Sequence, residues 1–561
     1  MKKILSVLLT VSALSLGIAS CQKKTVETAQ EAAPQAAQEA AASSITVVFG
    51  SEPNTIDPAL NSAVDAAIYA EHLFEGLYKY EDNGSGIAQA VPGLAASAPR
   101  KAPADGGEVV YTYTLRAGLK WSDGKPFTAQ DIVYSWRRLV DPATAADYSY
   151  MITMVKNADE IMAGEKDKSE LGIAALDDVT VEITLTYDCP FFDEIACFPA
   201  TFPVRQDVIE SAGDQWTFNP ATYISNGPYR LKEWVHNSHL TIEKNPHYYE
   251  PATGPDLIRF ALMDDDNALL AGFRNEELDY IQTVPVDEIQ GLLDSGELKV
   301  VPYLGTYYVS FNTQKAPFND ARVRKAFNLA IDRAYIINQI TRSGQQPASG
   351  FVPSGIADAA GAGSDFRQIG GDYYSIAPGD YEKNVAEAKR LLAEAGYPEG
   401  AGFPVAEYIY NTNDAHRAIA EALQDMWKTA LGVNVTLSNQ DWAVFLDTRK
   451  IGDFQIARDG WIGDYNDPMN FLEMYLTGGG NNNSQYASPA FDALIKQAQS
   501  TAVAEERMRL MHQAEDILVG QDAAVGPIYF YTQSYMMNPK ITGMYYTPLG
   551  YFFFKNAQIA P

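Results

Sequence analysis

Residues 457–472 read ARDGWIGDYNDPMNFL, a strand-like run with glycines and a large aromatic side chain that ends on an acid. The pattern places the carboxylate of Asp464 where the strand meets the protein interior. A carboxylate in a poorly hydrated place is strongly destabilising unless a cation meets it. The stretch therefore predicts a cationic partner for Asp464, and that partner need not belong to the protein.

The rest of the chain surrounds this stretch with strands and amphipathic helices in alternation. Its 561 residues are 46% hydrophobic, which is enough for a large core and more than one domain. Residues 108–116 (EVVYTYTLR) have the composition of a strand, and residues 320–340 repeat apolar side chains with helical spacing. Alternation of this kind predicts α/β lobes.

The first 21 residues have the organisation of an export signal. Two lysines precede the apolar run ILSVLLTVSALSLGIAS at 4–20, which is typical of a signal peptide over residues 1–20. The sequence Ile-Ala-Ser-Cys at 18–21 resembles the lipobox of bacterial lipoproteins, which predicts cleavage before Cys21 and its acylation. An ordinary signal peptide that happens to precede a cysteine is the alternative.

Residues 21–44 follow as a spacer, because after Cys21 they are rich in Ala, Gln and Glu and have almost no large apolar side chain. A coil of this length spans about 27 Å, which suits a flexible tether between a bilayer and a soluble body. Residues 1–20 contain two lysines and no acids, so the remaining chain has 40 basic and 71 acidic residues and a formal charge of −31. Nucleic acid is therefore excluded as a partner.

The sequence gives no support for catalysis, a metal site or a cofactor. It lacks the metalloprotease, nucleophile-elbow and phosphate-loop motifs. His236 and His239 have a spacing that suits a metal, but the residues between them favour a surface turn. The acids at 264–266 are better explained by a helix cap than by calcium. Cys189 and Cys197 leave a disulfide open, since export permits it whereas a helical turn between them would hold them too far apart.

Nine sequence blocks occur in the order found in oligopeptide-binding proteins of ABC importers, the family 5 extracellular solute-binding proteins. The resemblance extends over residues 45–561. The blocks are SEPNTIDP (51–58), LFEGLY (73–78), LRAGLKWSDGKPFTAQDIVYSWRRLVDP (115–142), ISNGPYRLKEW (224–234), NPHYY (245–249), TYYVSFNTQKAPFNDARVRKAFNLAIDR (306–333), NQDWAVFLDTR (439–449), GWIGDYNDPMNFL (460–472) and SPAFDALI (488–495).

This resemblance implies a two-lobed periplasmic-binding-protein fold of class II, with three domains and a hinge between the lobes. Matching the blocks assigns domain I to residues 45–74, 222–304 and 531–561. Domain II then covers residues 75–221 and extends the first lobe, while domain III covers residues 305–530 and forms the second lobe.

The resemblance also implies a peptide site centred on Asp464, which would meet the α-ammonium group of the ligand. Gly460 and Ile462 would offer backbone groups to an extended peptide. The remaining positions would contact the N-terminal end of the ligand (Tyr148, Ala63, Val64), form side-chain pockets and their lining (Trp442, Trp461, Tyr303, Tyr308) or lie near its carboxylate (Arg458, His416).

Three of these assignments have structural alternatives. Asp464 could cap the helix that follows it, although Asp467 is better placed to do so. Arg458 could pair with Asp459 or Asp453. His416 could be a surface residue at the start of a helix. The sequence also departs from the family pattern, since a cross-strand cysteine pair is replaced by Gly305 and Ile462.

The function that the resemblance implies is capture of short oligopeptides and their delivery to a membrane permease. The protein is then expected to be an exported, lipid-anchored monomer facing the periplasm or cell exterior, with no enzymatic activity. One alternative keeps the fold and binds another solute, such as a dipeptide, metal chelate, haem or oligosaccharide. A less favoured alternative is an exported hydrolase, supported by the abundance of acids.

Overall fold

The structure, a computed structural model, describes residues 42–82, 84, 86–251, 253–377, 379–501 and 503–560. The predicted signal peptide, Cys21 and most of the tether lie outside the described residues. No helix within the described ranges combines the length and apolar character needed to cross a membrane.

Twenty-three strands are found in the described ranges. They are β1 Ser44–Gly50, β2 Tyr78–Asp82, β3 Ala88–Pro92, β4 Arg100–Pro103, β5 Val109–Thr114, β6 Ile173–Asp177, β7 Thr180–Leu185, β8 Tyr229–Val235, β9 His239–Lys244, β10 Leu257–Leu262, β11 Tyr280–Ile281, β12 Lys299–Phe311, β13 Gln346–Pro347, β14 Ala357–Asp358, β15 Gly361–Asp365, β16 Ala406–Asn411, β17 Val435–Gln440, β18 Ile456–Ile462, β19 Val525–Met537, β20 Ile541–Thr542, β21 Tyr545–Tyr546, β22 Phe552–Phe553 and β23 Gln558–Ile559.

Sixteen α-helices alternate with these strands in the same ranges. They are α1 Val64–Leu73, α2 Ala129–Val140, α3 Ala158–Met162, α4 Phe192–Ile195, α5 Gln206–Ala212, α6 Asp266–Arg274, α7 Ile289–Ser295, α8 Ala321–Leu329, α9 Arg333–Tyr335, α10 Phe366–Gly370, α11 Tyr381–Glu394, α12 Asp414–Leu431, α13 Trp442–Lys450, α14 Pro468–Leu472, α15 Pro489–Gln499 and α16 Ala504–Glu515. Two π-helical segments, Ile336–Thr341 and Asp516–Gln521, follow α9 and α16.

An eleven-stranded mixed sheet runs through the molecule in the order β17-β16-β18-β12-β19-β11-β1-β10-β9-β8, with β13 paired to β19. The long antiparallel strands β12 and β19 connect its two ends. Their pairing is interrupted between Pro302 and Thr306. This interruption lies beside the domain boundaries predicted after residues 304 and 530, and the three-domain division itself stays a prediction.

A separate four-stranded antiparallel sheet, in the order β4-β5-β7-β6, lies within the predicted second domain. Its strand β7 alternates strictly, with Val181, Ile183 and Leu185 buried and the residues between them more exposed. A period of two is the pattern of a strand with one face on the core. Helix α2 packs against this sheet and begins with a capping box formed by Thr128 and Asp131.

Cys189 and Cys197 are both buried and both free, so the structure resolves the open question of a disulfide in favour of two thiols. Burial raises the pKa of each thiol well above its ordinary value. A thiol that resists ionisation is a poor nucleophile. The pair therefore acts as small apolar side chains in the core.

Candidate ligand cavity

A cavity of 1290 Å³ opens beside the end of β18. One wall is formed by β18 and α13, and the facing wall by the loop from β1 to α1 together with residues 144–148. Pockets for small molecules have volumes of about 300–1,000 Å³, so this cavity has room for a larger ligand.

The edge of β18 that faces away from β12 is unpaired over most of its length. Within the described residues, β16 pairs only with Ile456 and Ala457, whereas β12 pairs with the whole strand. The Gly463 N–H donates to the Leu304 carbonyl at 2.8 Å. In an antiparallel ladder the bonded pairs alternate, so the backbone groups of Gly460 and Ile462 point away from β12.

The free backbone groups of Gly460 and Ile462 point towards the cavity, and both residues line it. The Gly460 N–H donates to the side chain of Asp459 at 2.9 Å, and this contact is the one local competitor for that donor. Gly305 and Ile462, which the resemblance placed at a cross-strand cysteine pair, are direct partners in the β12–β18 register. The resemblance had implied that these two positions face each other on neighbouring strands, and the register of β12 and β18 agrees with it.

Asp464 follows the strand and is 7% exposed, with no lysine, arginine or histidine in ion-pair contact among the described residues. Its carboxylate accepts hydrogen bonds from the Tyr148 hydroxyl at 3.2 Å and from the Asn470 side-chain amide at 3.1 Å. Burial raises its pKa from 3.8 to about 7, and the two hydrogen bonds oppose that rise. A cationic group of a ligand would neutralise a buried acid of this kind.

Asn470, which sequence reasoning missed, fixes the geometry of this acid. It lies in α14, is fully buried, and its side-chain oxygen accepts from the Asp464 backbone N–H at 2.9 Å and from the Trp461 indole N–H at 3.0 Å. The cap of α14 is Asp467, whose carboxylate accepts from the Met469 N–H. The alternative that Asp464 caps this helix is therefore wrong.

Two neighbouring arginines at the cavity have opposite surroundings. Arg449 of α13 forms an ion pair with Asp459, which is 2% exposed. Arg458 has no carboxylate in ion-pair contact among the described residues; its guanidinium donates to the Tyr531 hydroxyl at 3.3 Å and lies 5.1 Å from the centre of the Tyr307 ring. The Asp459 alternative for Arg458 is wrong.

Asp453, the other acid proposed as a partner of Arg458, instead forms an ion pair with Lys315, whose ammonium group lies 2.9 Å from its carboxylate. The Nε atom of Arg458 is buried without a hydrogen-bond partner in the described structure. A half-buried guanidinium that lacks a carboxylate is the counterpart of the buried acid at position 464.

His416 lines the cavity close to this guanidinium. Its Nδ1 lies 3.3 Å from the Tyr307 hydroxyl, and its backbone N–H donates to the side chain of Asn413, the N-cap of α12. Burial and the nearby charge of Arg458 lower its pKa well below the ordinary value, so the ring is neutral at pH 7. The alternative of a simple surface histidine does not describe this half-buried, cavity-lining position.

Eleven of the twelve predicted ligand residues line the cavity, and Tyr308 does not. Tyr308 is 1% exposed and packs edge-on against Phe351 at 5.1 Å, on the opposite face of β12. Successive side chains alternate across a strand, so Tyr307 faces the cavity groups instead. The eleven are Ala63, Val64, Tyr148, Tyr303, His416, Trp442, Arg458, Gly460, Trp461, Ile462 and Asp464.

Comparison with known proteins gives this geometry a family. Residues 89–483 match the profile of the bacterial extracellular solute-binding proteins, family 5 Middle. Over 520 residues the chain is 38% identical to the periplasmic oligopeptide-binding protein OppA of Salmonella typhimurium, with 91% of each chain covered. The chain belongs to the family 5 extracellular solute-binding proteins.

Solved structures agree with family 5 membership and with the predicted α/β, two-lobed fold, which is confirmed. The Haemophilus influenzae OppA complex with RPPGFSPFR matches with a TM-score of 0.85 at 31% identity, covering 93% of this chain and 100% of that chain. The unliganded open form of the murein tripeptide-binding protein MppA matches at 0.60 and 32% identity, covering 93% and 98%. The family 5 chain described here therefore lies closer in overall arrangement to the peptide complex.

The two walls of the cavity are in direct contact at its mouth, which we call the closed arrangement. Lys450 lies 2.6 Å from the carboxylate of Asp147 on the facing wall. Beside them the Asn481 side chain donates to the Tyr150 hydroxyl at 3.2 Å. Because the lysine is half exposed, this ion pair contributes little to stability, and the closed arrangement depends on several such contacts together.

The residues considered for metal binding have structural roles in this family 5 chain. His236 lies 2.7 Å from the carboxylate of Glu52 at the cavity wall. Asp265 caps α6 by accepting from the Ala268 N–H at 2.8 Å, as the cap interpretation predicted. Within the described ranges, no group of three or more His, Cys, Asp or Glu side chains is arranged to hold a metal ion.

Proposed function

We propose that this protein captures short oligopeptides in the cavity beside β18 and delivers them to the permease of an ABC importer. The observation that supports this most strongly is that buried Asp464 and half-buried Arg458, which have no ion-pair partner among the described residues, lie at the two ends of an open strand edge. A free peptide has an ammonium group at one end and a carboxylate at the other. The ammonium group would then pair with Asp464, and the carboxylate would pair with Arg458.

The distance between these charges limits the length of the peptide. Arg458 and Asp464 are six positions apart, and a strand rises about 3.3 Å per residue, so their Cα atoms are separated by at most about 20 Å. An extended peptide of about six residues has that length. Because the arginine side chain reaches into the cavity, shorter peptides fit between the two groups.

Between the termini, recognition would use the peptide backbone. The backbone groups of Gly460 and Ile462 would pair with an extended peptide as with an added strand, and this pairing is independent of side-chain identity. The ammonium of the peptide and the Asp464 carboxylate, about 4 Å apart at an effective dielectric constant near 20, would gain about 4 kcal/mol before desolvation is subtracted.

The relatives named above support the peptide assignment, since one of them is a periplasmic oligopeptide-binding protein and another is a complex with a nine-residue peptide. We further propose that the mature protein is a monomer held at a bacterial membrane by acyl chains on Cys21. It then acts by binding and release, without chemistry of its own.

Native mass spectrometry of protein purified without denaturation tests the proposal. We expect co-purified peptides of mixed sequence, released by mild denaturation. Recovery of a single sugar, metal chelate or haem would replace the peptide ligand by another solute. Incubation with a defined tripeptide separates the receptor from a hydrolase, because products of cleavage would contradict the receptor assignment.

A further inference from the structure

Asp65 is a second acid at the cavity for which the described residues supply no cation. It lies in the first turn of α1 and lines the cavity wall that faces β18. Its carboxylate accepts a hydrogen bond from the Ala66 N–H at 2.8 Å, and no lysine, arginine or histidine of the described chain is in ion-pair contact with it. Burial raises its pKa to about 6, so it remains mostly ionised at pH 7.

The position of Asp65 also has a structural reason. An acid in the first turn of a helix interacts favourably with the helix dipole. That interaction accounts for an acid at the start of α1. It does not offset the loss of water at a cavity wall, which a cation in the cavity would do.

The other charges that line the cavity leave Asp65 available to a ligand. Three of the lining acids have local partners, since Glu52 contacts His236, Asp147 contacts Lys450 and Asp459 contacts Arg449. The proposed function assigns Asp464 and Arg458 to the two peptide termini. Asp264, Asp441 and Asp447 also line the cavity but are solvent-exposed. Asp65 is then the half-buried acid that neither an ion pair within the described protein nor a peptide terminus neutralises.

We propose that Asp65 is a specificity residue that selects peptides with a basic side chain, lysine or arginine, at one position. The inference rests on the proposed function, because it assumes that a peptide occupies this cavity. Asp65 would accept a charge-assisted hydrogen bond from the ammonium or guanidinium group of that side chain. The surplus of acids over cations in the lining favours the same class of peptide.

Calorimetry with tri-alanine and two series of substituted tripeptides tests this inference. Tri-alanine is the reference, and lysine or norleucine replaces alanine at each position in turn, so that each pair differs mainly in charge at a similar stem length. At one position we expect the wild-type protein to bind the lysine peptide about tenfold more tightly than the norleucine peptide, between the values for exposed and buried ion pairs.

Asp65→Asn should reduce that lysine-to-norleucine ratio to within about twofold, because it keeps the shape and removes the charge. Asp65→Ser is a second variant, which also removes the charge but leaves a smaller polar side chain in the first turn of α1. Glu382→Gln is the matched control. It removes an exposed acid from the first turn of α11, away from the cavity, and should retain the full ratio.

The outcomes separate this inference from the proposed function. If the wild-type protein binds tri-alanine but shows no lysine preference at any position, or if both Asp65 variants retain the preference, Asp65 is not a specificity residue. Failure of the wild-type protein to bind any of the tripeptides would overturn the proposed function and this inference together.

Discussion

The hydroxyl of Tyr148 donates to the carboxylate of Asp464 at 3.2 Å, although the two residues are 316 positions apart in the chain. The hydrogen bond joins the facing walls of the cavity beside the proposed site of the peptide ammonium. Burial raises the pKa of Asp464 far above its ordinary value, and the hydrogen bonds from Tyr148 and Asn470 only partly oppose that rise. The residue is positioned by the closed protein and is left without a cation.

Replacement of Asp464 by asparagine should therefore weaken binding of a free tripeptide by about 2–5 kcal/mol, the range for truncating one side of a buried charge pair. The change should have little effect on the N-acetylated peptide, which has no ammonium group. Calorimetry on both proteins with both peptides forms a double-mutant cycle whose coupling energy is the quantity of interest. Equal binding of free and acetylated peptides by the wild-type protein would make Asp464 a structural acid.

The raised pKa of Asp464 predicts that peptide affinity depends on pH. In the unfolded chain the group ionises near its ordinary value of 3.8, whereas in the empty cavity it keeps its proton up to about pH 7. Between these values the folded protein binds more protons than the unfolded chain. The free energy of unfolding therefore falls as pH rises, by up to about 1.4 kcal/mol per pH unit. A bound ammonium favours the ionised form and expels the proton.

We therefore expect the affinity for a free tripeptide to rise from about pH 5 to about pH 7 and to fall above about pH 8, where the peptide ammonium loses its proton. Calorimetry in buffers with different ionisation enthalpies would detect the proton released near neutral pH. In Asp464→Asn the rising limb should disappear. A wild-type affinity that is constant between pH 5 and pH 7 contradicts this assignment.

Arg458→Met should weaken binding of peptides with a free C-terminal carboxylate by about 2 kcal/mol, because it removes the half-buried guanidinium that has no carboxylate partner in the described protein. The C-terminal amide of the same peptide should bind the two proteins with nearly equal affinity. Fluorescence titration with both peptides checks this. An equal loss for acid and amide would show that Arg458 acts through packing on Tyr307.

Arg449→Met should instead destabilise the fold, since it leaves Asp459 buried without its ion-pair partner. Removing one side of a buried pair typically costs about 3–5 kcal/mol in the free energy of unfolding. Urea denaturation of the ligand-free protein measures it. The double variant Arg449→Met with Asp459→Asn should recover much of the loss, and a single variant as stable as the wild type would refute the pairing as a stabilising contact.

The proposed lipid anchor predicts that Cys21→Ser leaves the precursor uncleaved at the lipobox and without acyl chains. Metabolic labelling with a radioactive fatty acid, followed by membrane fractionation, measures both effects. The wild-type protein should incorporate label and sediment with membranes. Absence of label in the wild type would show that the sequence at 18–21 is an ordinary cleavage site.

The amino-acid sequence by itself determined the α/β fold and indicated most of the predicted ligand residues that line the cavity. Ordered blocks identified the family, and GWIGDY placed a strand edge and an acid together because neighbouring residues on one strand stay neighbours in any tertiary arrangement. The same local reasoning assigned the helix cap to Asp467, since capping depends on residues within one turn.

Only the tertiary structure decided which charges are neutralised within the protein. Arg449 and Arg458 both lie near Asp459 in sequence. Because α13 packs beside β18, it is Arg449 that forms the ion pair with Asp459. The face occupied by Tyr307 and Tyr308 depends on strand register, where a shift of one residue exchanges the two faces. Nothing in the sequence around Asp65 marks it as a ligand residue. Its lack of an ion-pair partner depends on which cationic side chains the fold brings near it.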